Sequence, residues 1–304
     1  MGKLDGKVVL VTGSGRGFGR AMAVAYAQEG ARVVSVARNA SELEETEKII
    51  EARGGEVLTL SANLSSIVEI NRLKEYVIET QGGLDVLVNN AATSPWKTVD
   101  KMTVEEWDYT IAVNLRAPFL LVKGFMISMT KRGGGSIINI TSRSAEMGFV
   151  AETAYCPSKY GLEGLTQCLA LELGPLNIAV NSLNVSVPEG MRLKPTSLTL
   201  EEAKMMPCEQ KGFYADVNSM VRAFSEAWVF LAIQNGSGIT GQRLSTKGLA
   251  EKLSRLGWET VCEHHRSRLT RAVYESYDFP KKVRYQTPGG GWRELNFEGP
   301  EKSP

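Results

Sequence analysis

Two groups of residues in this chain have types and spacings that could do chemistry. The first is Tyr155 with Lys159, whose i, i+4 spacing puts both on one helix face. A free tyrosine, with a pKa of about 10, is a poor base at neutral pH. A lysine held about 4 Å away, at an effective dielectric near 20, favours the phenolate by about 4 kcal/mol, or three pKa units at most. Tyr155 is therefore expected to titrate near physiological pH, where general acid–base catalysis works best. The pattern alone is weak, because tyrosine and lysine fall at this spacing by chance on many surface helices. The second group is the stretch KVVLVTGSGRGFG at residues 7–19, with glycine at 13, 15, 17 and 19. An apolar run, a glycine turn and a helix start in that order make an anion site. Free backbone N–H groups and the helix dipole face a phosphate, and glycine lets the backbone come close to it.

The elements that must position these groups follow from the hydrophobic pattern. Residues 8–11 (VVLV) form an unbroken apolar run, as in a central parallel strand covered on both faces. An amphipathic helix follows through Met22, Ala23, Tyr26 and Ala27, and then a second buried strand at 31–37 (ARVVSVA). A helix at 41–53, a strand at 57–60, a helix at 67–80 and a strand at 84–88 come next, the last running into Asn89, Asn90, Ala91 and Ala92. Strands alternating with helices of this length predict an α/β fold, a doubly wound parallel sheet with helices on both faces. Right-handed crossovers bring the strand C-termini to one edge, so the glycine turn, Arg38, Asn63 and Asn90 line one crevice. A long helix over 103–132 carries Asn114, glycines 133–135 break it, and a strand at 136–140 ends at Thr141, Ser142, Arg143 and Ser144. Tyr155 lies thirteen residues beyond Ser142, and a sixth strand is expected at 178–183.

In dinucleotide folds an acidic residue roughly 20 positions beyond the glycines takes the ribose 2′-hydroxyl, whereas a nearby Arg accommodates a 2′-phosphate. Here Ala37 and Arg38 stand in that place, and Arg16 inside the turn supplies a second cation. Both favour NADP(H) over NAD(H). The net charge of +1 gives no case for a nucleic-acid, membrane-surface or polyanionic partner. Cys156, Cys168, Cys208 and Cys262 have no metal-like spacing and suit a reducing compartment. With no N-terminal signal pattern and no bilayer-length apolar run read from the sequence, a cytoplasmic protein without resident metal is expected.

TGSGRGFG matches the TGxxxGxG motif of the short-chain dehydrogenase/reductase family at Thr12, Gly13, Gly17 and Gly19. NNAA resembles that family's NNAG, with Ala92 in place of glycine, and Asn63 sits where the family has an Asp that contacts adenine. Asn can still accept a hydrogen bond there through its side-chain carbonyl. Asn114 in VNLRAP, then Ser142, Tyr155 and Lys159, resemble the family's Asn-Ser-Tyr-Lys series. The resemblance covers residues 4 to about 246 and implies a Rossmann-like domain over 1–247, with a substrate loop at about 185–215. It implies hydride transfer between a nicotinamide and a carbonyl/alcohol substrate, with Tyr155 as acid/base and Ser142 holding the substrate oxygen. Lys159 then also binds the nicotinamide ribose, and Asn114 fixes a water linking Lys159 to solvent. Ser144 is the alternative to Ser142, at a spacing two shorter. Ser14, Phe18, Leu64, Ala91 and Val187 complete the implied cofactor contacts. The family also implies a homodimer or homotetramer paired through helices around 114–131 and 155–173. Two rivals share the fold: a cofactor-independent lyase or dehalogenase type, and a non-catalytic NADP(H)-binding regulator.

The chain departs from the family where Val185 and Ser186 replace the usual Pro-Gly, with Pro188 and Gly190 slightly later. The loop beyond, with Met191, Leu193, Leu198, Leu200, Met205, Met206 and Phe213, reads as an adaptable apolar lid for a medium-sized, largely apolar substrate. A helix is expected at 217–234. The extension at 248–304 is rich in aromatics, so it should pack on something, either the crevice or a neighbouring subunit. Within it a helix is expected over 259–277 and a hairpin from 283–285 and 292–295. His264 and His265 lack the companions a metal site needs.

Overall fold

The computed structural model describes residues 2–189, 216–265, 282–286 and 292–296. Strand β1 (Val8–Thr12) lies inside its sheet and is buried at all five positions. Alternation along the strand divides the core in two: Val9 and Val11 join one hydrophobic cluster, Val8 and Leu10 the other. Helices therefore cover both faces, which explains the continuous apolar run. On either side lie β2 (Arg32–Ala37), β3 (Glu56–Ser61), β4 (Val86–Asn89), β5 (Gly135–Thr141), β6 (Ile178–Asn184) and β7 (Arg243–Ser245). The order is β3-β2-β1-β4-β5-β6-β7, and every pairing is parallel. The winding direction reverses between β1 and β4, and a doubly wound sheet opens its ligand crevice at that point.

Helices α1 (Gly17–Gln28), α2 (Ala40–Glu51) and α3 (Ile67–Gln81) connect the first four strands. Side chains cap two of them: Asn39 accepts from the Ser41 N–H, and Ser66 from the Glu69 N–H. The expected long helix over 103–132 is present as one continuous run, Val104–Lys131, with a π-helical turn inside it. A capping box of Thr103 and Glu106 starts α4 (Val104–Ile111), a π-helical turn spans Ala112–Arg116, and α5 (Ala117–Lys131) follows. Pro118 gives the reason, because a proline lacks the N–H that an α-helix would offer to the Asn114 carbonyl. The sequence reading of no bilayer-length apolar run needs correcting. The helix Val104–Lys131 is long and apolar enough by length and composition, but half of its most apolar 18-residue stretch is buried inside this protein. Leu121, Val122, Phe125 and Met129 pack in the second core cluster with α3 and α6 (Tyr155–Leu173).

The other face holds α1 and α7 (Val217–Ala232), an apolar helix that buries Phe224, Trp228 and Phe230. The strand β7 passes straight into α8 (Thr246–Leu256), followed by α9 (Trp258–His265). Leu249, Leu253 and Val261 belong to the same core cluster as Trp228 and Phe230. Trp258 meets Phe230 edge-on, with ring centroids 5.2 Å apart. The start of the extension is thus part of the main hydrophobic core. Strands β8 (Lys282–Gln286) and β9 (Trp292–Asn296) form the expected antiparallel pair. The substrate loop beyond residue 189 and the expected helix beyond 265 lie outside the described residues.

Candidate active site

The turn after β1 is shaped by what surrounds it. Gly13 has φ +66°, and a Cβ there would come 2.8 Å from the Ala91 Cα. A Cβ on Gly19 would lie 2.3 Å from the Gly13 carbonyl oxygen and 2.5 Å from the Asn90 Nδ2. The turn and the helix start can touch the end of β4 only because both positions are glycine. Thr12 and Asn90 lock this contact. The Thr12 Oγ1 accepts from the Asn90 and Ala91 N–H groups at 2.9 and 3.0 Å, and the Asn90 Nδ2 donates to the Thr12 carbonyl at 2.8 Å. Helix α1 has no side chain capping its first N–H groups, unlike α2, α3, α4, α7 and α8. A tight, glycine-rich cradle at a helix start that no side chain caps fits a dinucleotide pyrophosphate.

Several residues expected around the cofactor have other partners. The Ser14 side chain is fully buried, and its hydroxyl contacts the Val11 carbonyl at 2.9 Å and the Ser35 hydroxyl at 2.7 Å. Phe18 and Leu64 are core residues of the two clusters. The Asn63 carbonyl, expected to meet adenine, accepts from the Ser65 N–H and hydroxyl at 3.1 and 2.9 Å in a local turn. Val187 packs partly buried against the first cluster. Arg16 pairs with Glu42 at 3.4 Å, and Arg38 donates to the Tyr109 hydroxyl while lying over that ring. Glu42 is a carboxylate close to the turn that the spacing rule did not anticipate, since it enters from the first turn of α2.

The four residues of the Asn-Ser-Tyr-Lys series come from three elements and converge beyond the sheet edge. Ser142 follows the last residue of β5, while Tyr155 and Lys159 open α6. Asn114 sits in the π turn, 1% exposed. Its amide clamps the backbone of Thr93, donating to the carbonyl and accepting from the N–H at 2.8 Å each, and donates to the Ser158 Oγ at 3.0 Å. Ser142 stands close enough to Tyr155 to favour its ionised form. The Lys159 Nζ lies 5.5 Å from the Tyr155 ring centroid and donates to the Ile140 carbonyl at 2.7 Å.

The protonation pattern differs from the expectation. Burial raises Tyr155 to about 12, against a lowering by Ser142 and further raising by Glu152 and Cys156. Burial lowers Lys159 to about 8, with Glu163 opposing. Loss of water outweighs the mutual attraction assumed from the spacing, because Lys159 is buried and Tyr155 half-buried.

Sequence reasoning passed over three groups that hold Ser142. Arg243, at the start of β7, donates to the Ser142 carbonyl at 3.0 Å and pairs with Glu146 at 2.6 Å and Glu163 at 3.0 Å. Ser144, weighed only as a substitute for Ser142, bonds it directly. Glu152, three residues before Tyr155, accepts from the Ser144 hydroxyl at 2.7 Å. A carboxylate so near the tyrosine was a usable signal, whereas nothing local marks Arg243, 101 residues from Ser142.

Comparison with known proteins decides the family. The short chain dehydrogenase family profile matches residues 7–192, well over half of the chain. This chain belongs to the short-chain dehydrogenases. It is similar to the D-threitol dehydrogenase of Mycolicibacterium smegmatis, at 33% identity over 61% of this chain and 71% of that one. It is also similar to the 3-oxoacyl-(acyl-carrier-protein) reductase of Aquifex aeolicus, at 32% identity over 81% of this chain and 98% of that one. Among solved structures it resembles a metagenomic short-chain oxidoreductase in complex with NADP. That match has 38% identity and a TM-score of 0.59, and covers 60% of this chain and 84% of the other. This short-chain dehydrogenase is therefore a Rossmann-type oxidoreductase of that family.

Proposed function

We propose that this short-chain dehydrogenase is an NADP(H)-dependent enzyme interconverting a carbonyl and an alcohol, with Tyr155 as the general acid/base. The observation that carries the reading is the meeting of Tyr155, Ser142, Lys159 and Asn114 beside the glycine cradle, on one edge of the sheet. The nicotinamide, when bound, supplies or accepts the hydride. In the reducing direction the Tyr155 hydroxyl gives its proton to the substrate oxygen, and Ser142 donates a hydrogen bond that polarises the same oxygen. Lys159, once charged, stabilises the phenolate left behind and holds the nicotinamide ribose. Asn114 has both amide N–H groups committed to Thr93 and Ser158, so its role toward water falls to its backbone carbonyl, which Pro118 deprives of an α-helical donor.

NADP(H) is preferred over NAD(H). Support comes from Arg16 within the glycine turn, Arg38 directly after β2, and Ala37 in place of an acid. The NADP bound to the metagenomic relative is consistent with this. Arg16 exchanges Glu42 for the phosphate, so NADPH is expected to bind at least about tenfold tighter than NADH. The double substitution Ala37→Asp with Arg38→Ala should reverse the order. Tighter binding of NADH by the unaltered protein, in a fluorescence titration, would overturn the preference.

The substrate is a carbonyl or alcohol compound, medium-sized and largely apolar away from the reacting end, in keeping with the apolar residues of the 191–213 loop. The protein acts in the cytoplasm as a homodimer or homotetramer. Exposed Phe119, Ile127 and Leu171 on α5 and α6 support that assembly. The reaction itself is tested by following nicotinamide absorbance at saturating NADPH against a panel of aldehydes and ketones. Consumption with at least one supports the reading, and none with any refutes it.

A further inference from the structure

Glu42 has no part in the reaction just proposed, yet the fold presses its carboxylate against the glycine turn. It lies in the first turn of α2, and two side chains fasten that helix start to the glycine turn. Arg20, on α1, donates through Nη2 to the Glu42 carbonyl at 2.9 Å and to the Gly15 carbonyl, and through Nε to the Thr46 hydroxyl oxygen at 3.0 Å. The fully buried Thr46 hydroxyl donates to the Ser14 carbonyl at 2.9 Å. The Glu42 side chain therefore starts from a fixed point. A Cβ placed on Gly15 would lie 2.9 Å from the Glu42 Cβ, 3.2 Å from its Oε2 and 3.3 Å from the Ala37 Cβ. The carboxylate thus covers Gly15 beside Ala37, the position where dinucleotide folds carry an acid. Its other oxygen, Oε1, lies 3.4 Å from the Arg16 Nη1. Arg38, the second cation after β2, donates instead to the Tyr109 hydroxyl.

We propose that Glu42 is a specificity-determining residue for the cofactor: reaching from α2 to the corner beside Ala37, its carboxylate accepts from a ribose 2′-hydroxyl and opposes a 2′-phosphate. The two ligand groups differ in what they offer a carboxylate. A hydroxyl has a proton to donate, and an ionised carboxylate only accepts. A phosphate monoester carries about −1.5 to −2 charges at pH 7 and meets the carboxylate as a like charge.

Arg16 is the cation for which the two anions compete. With NADPH it turns from Glu42 to the phosphate, which breaks the ion pair and leaves an uncompensated carboxylate beside the glycine turn. With NADH it stays on Glu42 and holds the carboxylate over Gly15 for the hydroxyl. Glu42 therefore limits the NADPH preference that Arg16 and Arg38 create, and keeps NADH a usable cofactor.

The inference rests on the glycine cradle binding a nicotinamide dinucleotide, and its test reads binding alone, without turnover. Dissociation constants for NADPH and NADH are measured by fluorescence titration of the full-length parent, Glu42→Gln, Glu42→Ala and Glu45→Gln proteins. Glu42→Gln removes the charge and keeps an acceptor, so NADPH should tighten at least about threefold while NADH stays within about twofold. Glu42→Ala removes the acceptor as well, so NADPH should tighten similarly and NADH should weaken at least about threefold. Glu45→Gln makes the same change of charge further along α2, on a side chain paired with Arg20 at 2.9 Å. Its ratio of the two constants should stay within about twofold of the parent. An unchanged ratio in both Glu42 variants overturns the inference. An equal rise in Glu45→Gln also overturns it, because the general charge of α2 would then account for the effect. So does an unweakened NADH in Glu42→Ala, which would remove the acceptor role. A parent that binds NADH more tightly than NADPH sinks the preference proposed above, yet a ratio moved by the Glu42 variants alone would still uphold the role of Glu42.

Discussion

Lys159, 2% exposed with its Nζ on the Ile140 carbonyl, carries its charge at a disadvantage, and burial draws its pKa down to about 8. An unfolded lysine titrates at about 10.4, so between about pH 8 and pH 10 the unfolded chain binds more protons than the folded one. Stability of the cofactor-free protein should therefore rise with pH across that window. Tyr155, raised to about 12, acts oppositely: the folded form keeps a proton that the unfolded chain loses at about 10. Its contribution is present below pH 10 and is lost as pH climbs toward 12. Urea unfolding at pH 7.5, 8.5 and 9.5 checks the lysine arm. The midpoint is expected to climb, and Lys159→Met should remove the climb while raising stability below pH 8 by about 3 kcal/mol at most. Equal slopes in both proteins would show that Lys159 is not buried as described. Tyrosine and lysine were legible as a pair from their spacing, but the sign of their shifts was not. Desolvation depends on neighbours such as Ile140 and Cys156, whose positions only the fold supplies.

At the scale of elements, two contacts set the geometry of the crevice. The first is the approach of the glycine turn to β4. Gly19→Ala puts a methyl group 2.3 Å from the Gly13 carbonyl oxygen, so the turn must open. NADPH affinity is expected to fall at least about tenfold, with a stability loss of about 1–3 kcal/mol, measured by fluorescence titration and thermal unfolding. Unchanged affinity would mean the cradle does not hold the cofactor. The second is the π turn, which carries Asn114 to Thr93. Asn114→Ala leaves the Thr93 N–H and carbonyl without their partner, at a cost of about 1–3 kcal/mol. Denaturation midpoints that move by far less would show that Asn114 is not the clamp. The strands and most helices were readable from period and apolar run, because a two-sided sheet imposes both. The π-helical turn at residues 112–116 was not, although Pro118 was in view. A proline near a helix start is ordinary, and only the contact with Thr93 shows what the irregular turn positions.

For the whole molecule, the division at residue 247 that the family resemblance implies does not coincide with a division in the core. Leu249, Leu253 and Val261 are at most 2% exposed, and the Trp258 ring nitrogen bonds Glu226 at 2.7 Å. Ending the chain after residue 247 strips these side chains from Trp228 and Phe230, a loss on the order of 5 kcal/mol. A truncated protein as stable as the full chain would contradict this packing. The aromatic content of the extension signalled that it packs, yet its target could not be read. That target depends on β7 running parallel to β6, which sends α8 back along the α7 face. The cradle, Ser142, Tyr155 and Lys159 were legible for a different reason: they lie at the end of a strand or in the first turns of a helix, where sequence pattern and backbone course coincide.

The most direct measurement of the central claim compares the unaltered protein with Tyr155→Phe on whichever carbonyl the unaltered protein reduces, at saturating NADPH. The ring stays and the proton donor goes, so kcat is expected to fall by at least about 100-fold while NADPH affinity stays within about threefold. Near-normal turnover in Tyr155→Phe would contradict the assignment of Tyr155 as the acid–base group.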